Sequence, residues 1–87
     1  MRIYMQKTTE DGRPPRYCQL VLQQDLIQGW SIIVESGEQG RSGRVRRQHF
    51  DQFDVAEEYL LNTRDAQLQR GFKVMFIQGA APLAMEK

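Results

Sequence analysis

The sequence contains few of the residues that usually form cross-links or bind metals. Among its 87 residues there is one cysteine, Cys18, and one histidine, His49. A single cysteine cannot form a disulfide within the chain, which favours a reducing compartment such as the cytoplasm. A metal site at His49 would need Cys, Asp or Glu partners, and none stands at a recognisable ligand spacing. We therefore expect no metal and no cofactor.

Long apolar runs are also lacking. No stretch approaches the roughly 18 consecutive apolar residues of a membrane span, and the first residues alternate polar and apolar without the apolar segment of a signal peptide. The composition, with 40% hydrophobic and 26% charged residues, is typical of a globular protein. These features predict one soluble, cytoplasmic domain over residues 1–87 without membrane association. Its core is expected at about 16–77, followed by a loose tail at 78–87.

No catalytic arrangement is recognisable. The glycine-rich segment 37–43 lacks the Gly-Lys-Ser/Thr of a phosphate-binding loop and precedes a predicted strand instead of a helix. A domain of this size buries only about two thirds of its unfolded surface, so a deep substrate cavity would compete with the core. We expect a non-enzymatic protein without a small-molecule substrate. A serine can be grouped with an imidazole and a carboxylate: Ser31, Ser36 or Ser42 with His49 and Asp51. However, the sequence around these serines does not resemble a nucleophile elbow.

Alternating and helical periodicities predict an α+β fold: a twisted antiparallel sheet of four to five strands with one long helix packed on a face. In the second strand Cys18, Leu20 and Leu22 share one side, and Cys18 is expected in the core. Trp30 is expected to be mostly buried between sheet and helix. Strands are predicted at 2–6, 16–24, 30–35, 43–50 and 72–77, the helix at about 52–70, and loops at 8–15, 25–29 and 36–43.

The predicted helix has recognisable end signals. The segment from Asp54 to Glu57 fits a capping box, and Gly71 is expected just past the last turn with a positive φ. Its apolar stripe is formed by Phe53, Ala56, Leu60, Leu61 and Leu68, widened by Val55, Tyr59 and Ala66.

Charge is unevenly distributed along the chain, although the net charge is only +1. Four arginines lie between residues 41 and 49 without an acid, and four acids lie between residues 51 and 58 without a base. Arginine suits phosphate geometry, and a glycine-rich loop beside a basic strand can meet successive phosphates. Period-2 alternation predicts that Arg47 faces away from its neighbours. The candidate nucleic-acid-binding residues are Arg41, Arg44, Arg46 and Arg47.

The predicted elements follow one another as two strands, a glycine loop, a basic strand, a helix and an Arg-Gly-aromatic segment. This order resembles that of the WGR domain family. The resemblance covers about residues 17–76. Its matching residues are the apolar strand 17–22, the Gly-Trp-Ser-Ile of 29–32, the glycines Gly37, Gly40 and Gly43, then Phe50, Ala56 and the Arg-Gly-Phe of 70–72.

The resemblance implies a twisted antiparallel sheet with one helix and binding to the sugar–phosphate backbone near a DNA end. This chain is most similar to the short stand-alone bacterial members. The family's signature Trp and Arg fall on Ser36 and Glu38, with only Gly37 retained. Serine cannot stack on a sugar and Glu38 would repel phosphate, so the DNA-end contact is not expected at these two positions.

Two functional interpretations follow. The chain is expected to bind a DNA or RNA backbone through its arginines. Alternatively, it is a protein-interaction or homodimerisation module that has lost DNA-end binding, using an open-face patch of Val21, Ile33 or Val74. In a third interpretation, the arginines form only a solvated strand that Asp51, Asp54 and Glu57 neutralise across the strand–helix junction.

Overall fold

The computed structural model describes residues 1–79 and confirms the α+β fold: a five-stranded antiparallel sheet with one helix packed on it. The predicted tail lies outside the described residues, apart from its first two positions. No helix in the described part is both long and apolar enough to cross a membrane. The elements are β1 (Arg2–Lys7), β2 (Arg16–Gln24), β3 (Trp30–Glu38), β4 (Arg44–Phe50), α1 (Phe53–Gln69) and β5 (Lys73–Gln78).

The sheet has the strand order β4-β3-β2-β1-β5, so β4 and β5 are its two edges. The predicted bounds of β2 are confirmed, but β3 is three residues longer than predicted. Ser36 pairs with Cys18, Gly37 with Tyr17 and Glu38 with Arg16. The prediction of a loop from residue 36 was wrong because β2 is long enough to provide partners for these residues, and the connection to β4 is correspondingly short.

The core lies on the side of the sheet that faces the helix, here called the helix face. Alternate residues of β1, β2 and β3 enter it, and Ala56 and Leu60 of α1 cover them. Burial of this apolar surface is the main favourable contribution to folding. The predicted core position of Cys18 is confirmed. The buried sheet residues are Ile3, Met5, Cys18, Leu20, Leu22, Ile32 and Val34.

The helix begins without the predicted capping box. Gln52 is the N-cap and makes no side-chain cap bond, whereas Asp54 lies inside the first turn, where its Oδ1 accepts the N–H of Val55 at 3.0 Å. Only part of the predicted stripe is buried, and Leu68 and Val55 remain exposed. At about 100° per residue, Leu68 lies roughly 120° around the axis from Ala56.

The helix ends as predicted. Gly71 has a φ of 101°, and its N–H donates to the Leu68 carbonyl at 3.0 Å. The N–H of Phe72 donates to the Gln67 carbonyl at 3.1 Å, which completes a Schellman motif. This turn directs the chain into β5.

Trp30 is mostly buried, as predicted, but it lies at the margin of the core and is not fully enclosed. Its ring meets Phe53 edge-on with centroids 4.8 Å apart, and it pairs with Phe50 across the ladder. The Phe50 ring in turn lies 5.2 Å from that of Tyr59. These four aromatic side chains close one end of the core and leave one side of Trp30 in contact with solvent.

The turn between β3 and β4 needs glycine for two different reasons. Gly40 has a φ of 87°, which side chains disfavour. Gly37 and Gly43 instead lie backbone to backbone, because a Cβ on Gly37 would be 3.0 Å from the Cα of Gly43. A Cβ on Gly43 would lie 2.7 Å from the Ser36 carbonyl oxygen and overlap the Tyr17 hydroxyl.

We therefore expect Gly43→Ala to lower the free energy of unfolding by about 1–3 kcal/mol, because the added methyl has no space and the Ser36 backbone cannot yield. Denaturant titration followed by circular dichroism measures the change. Ser42→Ala, at the exposed neighbouring position, is the matched control and should change stability little. Equal stability of both variants and the parent would contradict this close approach.

Candidate nucleic-acid interface

The register of β4 against β3 assigns each arginine of the strand to a face. Arg44 lies opposite Ser36 and Arg46 opposite the buried Val34, so both are on the helix face. Arg47 lies opposite Ile33 on the other side of the sheet, here called the open face. The predicted alternation is confirmed, and two of the four candidate arginines share a surface with the helix.

Two adjoining clefts on the helix face bring basic side chains together. We call them together the basic cleft. One has a volume of about 490 Å³ and the other about 440 Å³, and both are lined by Arg16 and Ser36. No acidic side chain lines either cleft. The remaining lining residues are Gly37, Ser42, Gly43 and Arg44 in the first, and Lys7, Gln67, Arg70 and Phe72 in the second.

The cations of this surface have no intramolecular ion pair among residues 1–79. The ion pairs of the described residues involve other basic groups, and acids 51, 54 and 57 make none with arginine. The structure therefore does not support direct pairing of those acids with the arginines. Unpaired positive charge in a cleft raises the local concentration of anions. The unpaired cations here are Lys7, Arg16, Arg44, Arg46 and Arg70.

Arg46 extends this surface along β4. It lines a smaller cleft of about 270 Å³ together with Val34 and Tyr59. Its charge also acts on the core beneath: burial raises the pKa of the Cys18 thiol, and Arg46 partly opposes that rise. Arg46 therefore presents its charge on the helix side, next to Arg44.

The other two candidate arginines are engaged. The Nε of Arg41 lies 3.6 Å from Oε1 of Glu38, and Nη2 of Arg47 lies 3.3 Å from Oδ1 of Asp25. Arg41 is strongly exposed, so its pair with Glu38 is weak and it can exchange partners at little cost. Arg41 borders the basic cleft through the β3–β4 turn, whereas Arg47 is directed away from it.

The second cleft forms where the helix ends beside β1. A Cβ on Gly71 would be 3.3 Å from Cε of Lys7, and the Lys7 ammonium lies 6.0 Å from the centroid of the Phe72 ring. The C-terminus of a helix carries partial negative charge, which disfavours an anion. Lys7 and the C-cap residue Arg70 counter that charge at this position.

The two positions that differ from the WGR signature lie at this site. Ser36 lines both parts of the basic cleft. Glu38 ends β3 opposite Arg16, and its carboxylate is directed to Arg41. Hydroxyl and backbone groups commonly contact phosphate, whereas a carboxylate repels it. Glu38 is thus the acidic group closest in register to the cleft and weakens its field.

Lys7, Arg16 and Arg70 were not among the candidate residues. They lie at the end of β1, the start of β2 and the end of α1, each far from the arginine-rich strand in sequence. Strand pairing could have indicated that Lys7 and Arg16 meet, because antiparallel pairing brings the end of β1 beside the start of β2, which lies beside the end of β3. Predicting this meeting requires the strand order of the sheet, which the sequence alone does not specify.

A separate polar cluster lies at the opposite end of the sheet, around Asp25. Its Oδ1 accepts the hydroxyl of buried Ser31 at 2.7 Å, and its Oδ2 lies 2.6 Å from Nδ1 of His49. Nε2 of His49 lies 3.2 Å from Oδ1 of Asp51. The Ser31 hydroxyl is thus bonded to a carboxylate and not to the imidazole, unlike a serine nucleophile and its base. Ser36 is on the helix face, away from His49.

Hydrogen bonds shift two pKa values in this cluster. The Ser31 hydroxyl, followed by His49, lowers the pKa of Asp25. The bond to Asp25, and secondarily that to Asp51, raises the pKa of His49 above its ordinary value. No group of three or more His, Cys, Asp or Glu in the described part of the chain is arranged to hold a metal.

Aromatic rings on the open face pack against one another. Tyr4 lies between Tyr17, at 6.2 Å, and Phe76, at 5.4 Å, with the rings stacked. The Tyr17 hydroxyl donates to Glu35 at 2.8 Å, which raises the pKa of Tyr17, and the Tyr4 hydroxyl accepts from Gln39. Both faces of Tyr4 are covered, so it is a packing residue and not a platform for a base.

Comparisons with protein-family models, with curated proteins and with solved structures found no match for this chain. The WGR resemblance therefore stays a prediction that rests on the quoted residues.

The Asp25 cluster predicts a pH dependence. Because folding raises the pKa of His49, this residue stabilises the folded state at pH values below its unfolded pKa of about 6.5. The stabilisation is lost as the pH rises through the folded pKa. NMR titration of the single imidazole should give a pKa above that value. Asp25→Asn should lower it, and Asp51→Asn should lower it less, in the order of the two hydrogen bonds. An unchanged His49 pKa in Asp25→Asn would contradict the assignment.

Proposed function

We propose that this chain is a non-catalytic protein that binds the sugar–phosphate backbone of nucleic acid through the basic cleft and Arg46. The observation that carries the proposal is the convergence on the helix face of five cations without an ion pair in residues 1–79, where neither part of the basic cleft has an acidic lining residue. Such a surface attracts polyanions and releases their counterions on binding.

The side chains of the cleft suit the phosphate groups of a nucleic acid better than the carboxylates of an acidic peptide. Arg44 and Arg46 stand two residues apart on one strand, about 6.6 Å, a spacing comparable to that of successive phosphates in a nucleic-acid strand. Ser36 and Ser42 add hydroxyls, and Gly37 and Gly43 leave the backbone accessible. Backbone amides, hydroxyls and arginines are the usual phosphate contacts of proteins, and they carry no base specificity.

Arg41 and Arg47 have unequal places in this proposal. Arg41 is strongly exposed beside the cleft, so a phosphate can take it from Glu38. Arg47 is on the open face and bonded to Asp25, so it contributes only to the long-range field. We therefore assign the contacts to Arg44 and Arg46, with Arg16, Lys7 and Arg70 completing the surface and Arg41 at its border.

The resemblance to WGR domains supports the same proposal, because members of that family bind DNA backbones. A cytoplasmic location belongs to it as well, supported by a sequence whose only cysteine is a buried free thiol.

A protein-interaction role is the second candidate, and one observation favours it. Leu26 and Ile27 at the tip of the β2–β3 hairpin are almost wholly exposed, at 103% and 95%. The patch expected from the sequence is not formed, since Val74 pairs with the buried Met5 and lies on the helix side, away from Val21 and Ile33.

The binding proposal predicts that Arg44→Ala combined with Arg46→Ala removes most of the affinity for DNA and leaves stability nearly unchanged, because exposed arginines contribute little to folding. Fluorescence anisotropy with a short labelled duplex, a nicked duplex and a single strand measures the affinity across salt concentrations. The contacts of Arg44 and Arg46 alone give a log–log salt slope of roughly −1.4 to −1.8 for the parent, the other cations of the surface steepen it, and the double variant should flatten it.

Arg47→Ala is the control for the single replacements Arg44→Ala and Arg46→Ala, since it removes one arginine charge from the same strand on the other face. It should bind nearly as the parent does. Equal losses for the three single variants would indicate net charge alone, and parental binding by the double variant would contradict the site. If no nucleic acid binds the parent above background at low salt, the protein-interaction role becomes the better account.

Replacing Glu38 tests the effect of the nearby acid. Glu38→Arg should strengthen DNA binding and steepen the salt slope, because it removes a repelling charge, frees Arg41 and adds a cation at the mouth of the cleft. Glu35→Gln, which removes an acid on the open face, should have a much smaller effect. Unchanged affinity in Glu38→Arg would show that phosphate does not approach this end of the sheet.

A further inference from the structure

The edge strand β5 exposes apolar side chains along most of its length. Met75, Phe76 and Ile77 are 54%, 45% and 49% exposed, and Val74 is 37% exposed. The helix packs mainly against β2, β3 and β4, so it does not cover this side of the sheet. One side of β5 pairs with β1, and the other has no partner strand within residues 1–79, so its row of backbone groups is a template for another strand.

The opposite edge is protected and β5 is not. β4 carries three arginines and a histidine, so pairing with a second β4 would bring like charges together. β5 has a single charge, Lys73, at its start. The difference in charge directs strand pairing to one edge of the sheet.

The sequence of β5 is self-complementary about its centre. Val74 and Ile77 lie opposite Met5 and Ile3, so both are on the helix face. Lys73 and Gln78 lie opposite Gln6 and Arg2, so both are on the open face. When two such strands run antiparallel, with the axis between Met75 and Phe76, Val74 meets Ile77 and Lys73 meets the neutral Gln78. The bulge in the β1–β5 ladder then falls near the axis.

We propose that β5 pairs with β5 of a second copy of this chain across a two-fold axis, joining the two sheets into one of ten strands. Two-fold pairs in which one patch meets itself are the commonest protein dimers. The second part of the basic cleft reaches Phe72, directly before β5, but the strand pairing uses none of the cleft's cations, so the dimer does not depend on the proposed DNA binding.

Such an interface buries four apolar pairs, Val74 with Ile77 and Met75 with Phe76 each twice, and a strand ladder, so we expect a modest, concentration-dependent dimer. Sedimentation equilibrium over a wide concentration range measures it on the full chain without nucleic acid. Val74→Lys should raise the dimer dissociation constant by roughly 100-fold or more, because it places an unpaired charge opposite Ile77. Val45→Lys, the same change on the other edge strand, is the control and should dimerise as the parent does.

The register is tested by cross-linking. Cysteines at directly opposed strand positions lie within disulfide reach. In this register Val74→Cys faces residue 77 of the partner, so a mixture of the Val74→Cys and Ile77→Cys proteins should form a disulfide-linked pair on oxidation. Each protein alone should not. This test remains valid if Val74→Lys fails to fold, which circular dichroism reveals.

Other occupants of the edge give different results. If residues 80–87 or a different protein cover β5, the parent is a monomer at every concentration and the mixed cysteine proteins do not cross-link. Either result overturns the proposal. Dimers that survive Val74→Lys but not Val45→Lys would overturn it as well, since the contact would then be at β4.

Discussion

The burial of one face of the sheet beneath a single 17-residue helix is the interaction on which the rest of the structure depends. Ala56 and Leu60 cover Ile32, Leu20 and their neighbours, so every strand must keep its apolar residues on that side. Because side chains alternate along a strand, this requirement also fixes the side of every polar residue. Arg44 and Arg46 share the helix face for this reason, and Arg47 does not.

Antiparallel connection then separates charge between the two ends of the sheet. The end of β1, the start of β2, the end of β3 and the start of β4 meet at one end, where Lys7, Arg16 and Arg44 come together. The β2–β3 hairpin and the turn into the helix meet at the other, where Asp25 holds His49. The small net charge of the chain therefore conceals a basic end and an acidic end, which is what a backbone-binding surface requires.

Much of this arrangement could be predicted from the sequence, because period-2 alternation and glycine at the helix end have direct causes. The bounds of β2, the faces of β4 and the positive φ of Gly71 followed from them. The length of β3 did not, since Ser36, Gly37 and Glu38 are poor strand formers that β2 nevertheless pairs. Only part of the basic surface could be predicted. Arg44 and Arg46 are close in sequence on β4, whereas Lys7, Arg16 and Arg70 come together only through the strand order and the position of the helix end.

The most direct test of the account is an NMR titration of the isotope-labelled protein with a short DNA duplex at low salt. Binding through the basic cleft predicts that the largest amide shift changes occur at Ser36, Gly37, Ser42 and Gly43, which line the cleft between the cations. The amides of Leu26 and Ile27, at the far end of the sheet, should change little. Shift changes that centre on the β2–β3 hairpin or on the open face, with the cleft unaffected, would contradict it.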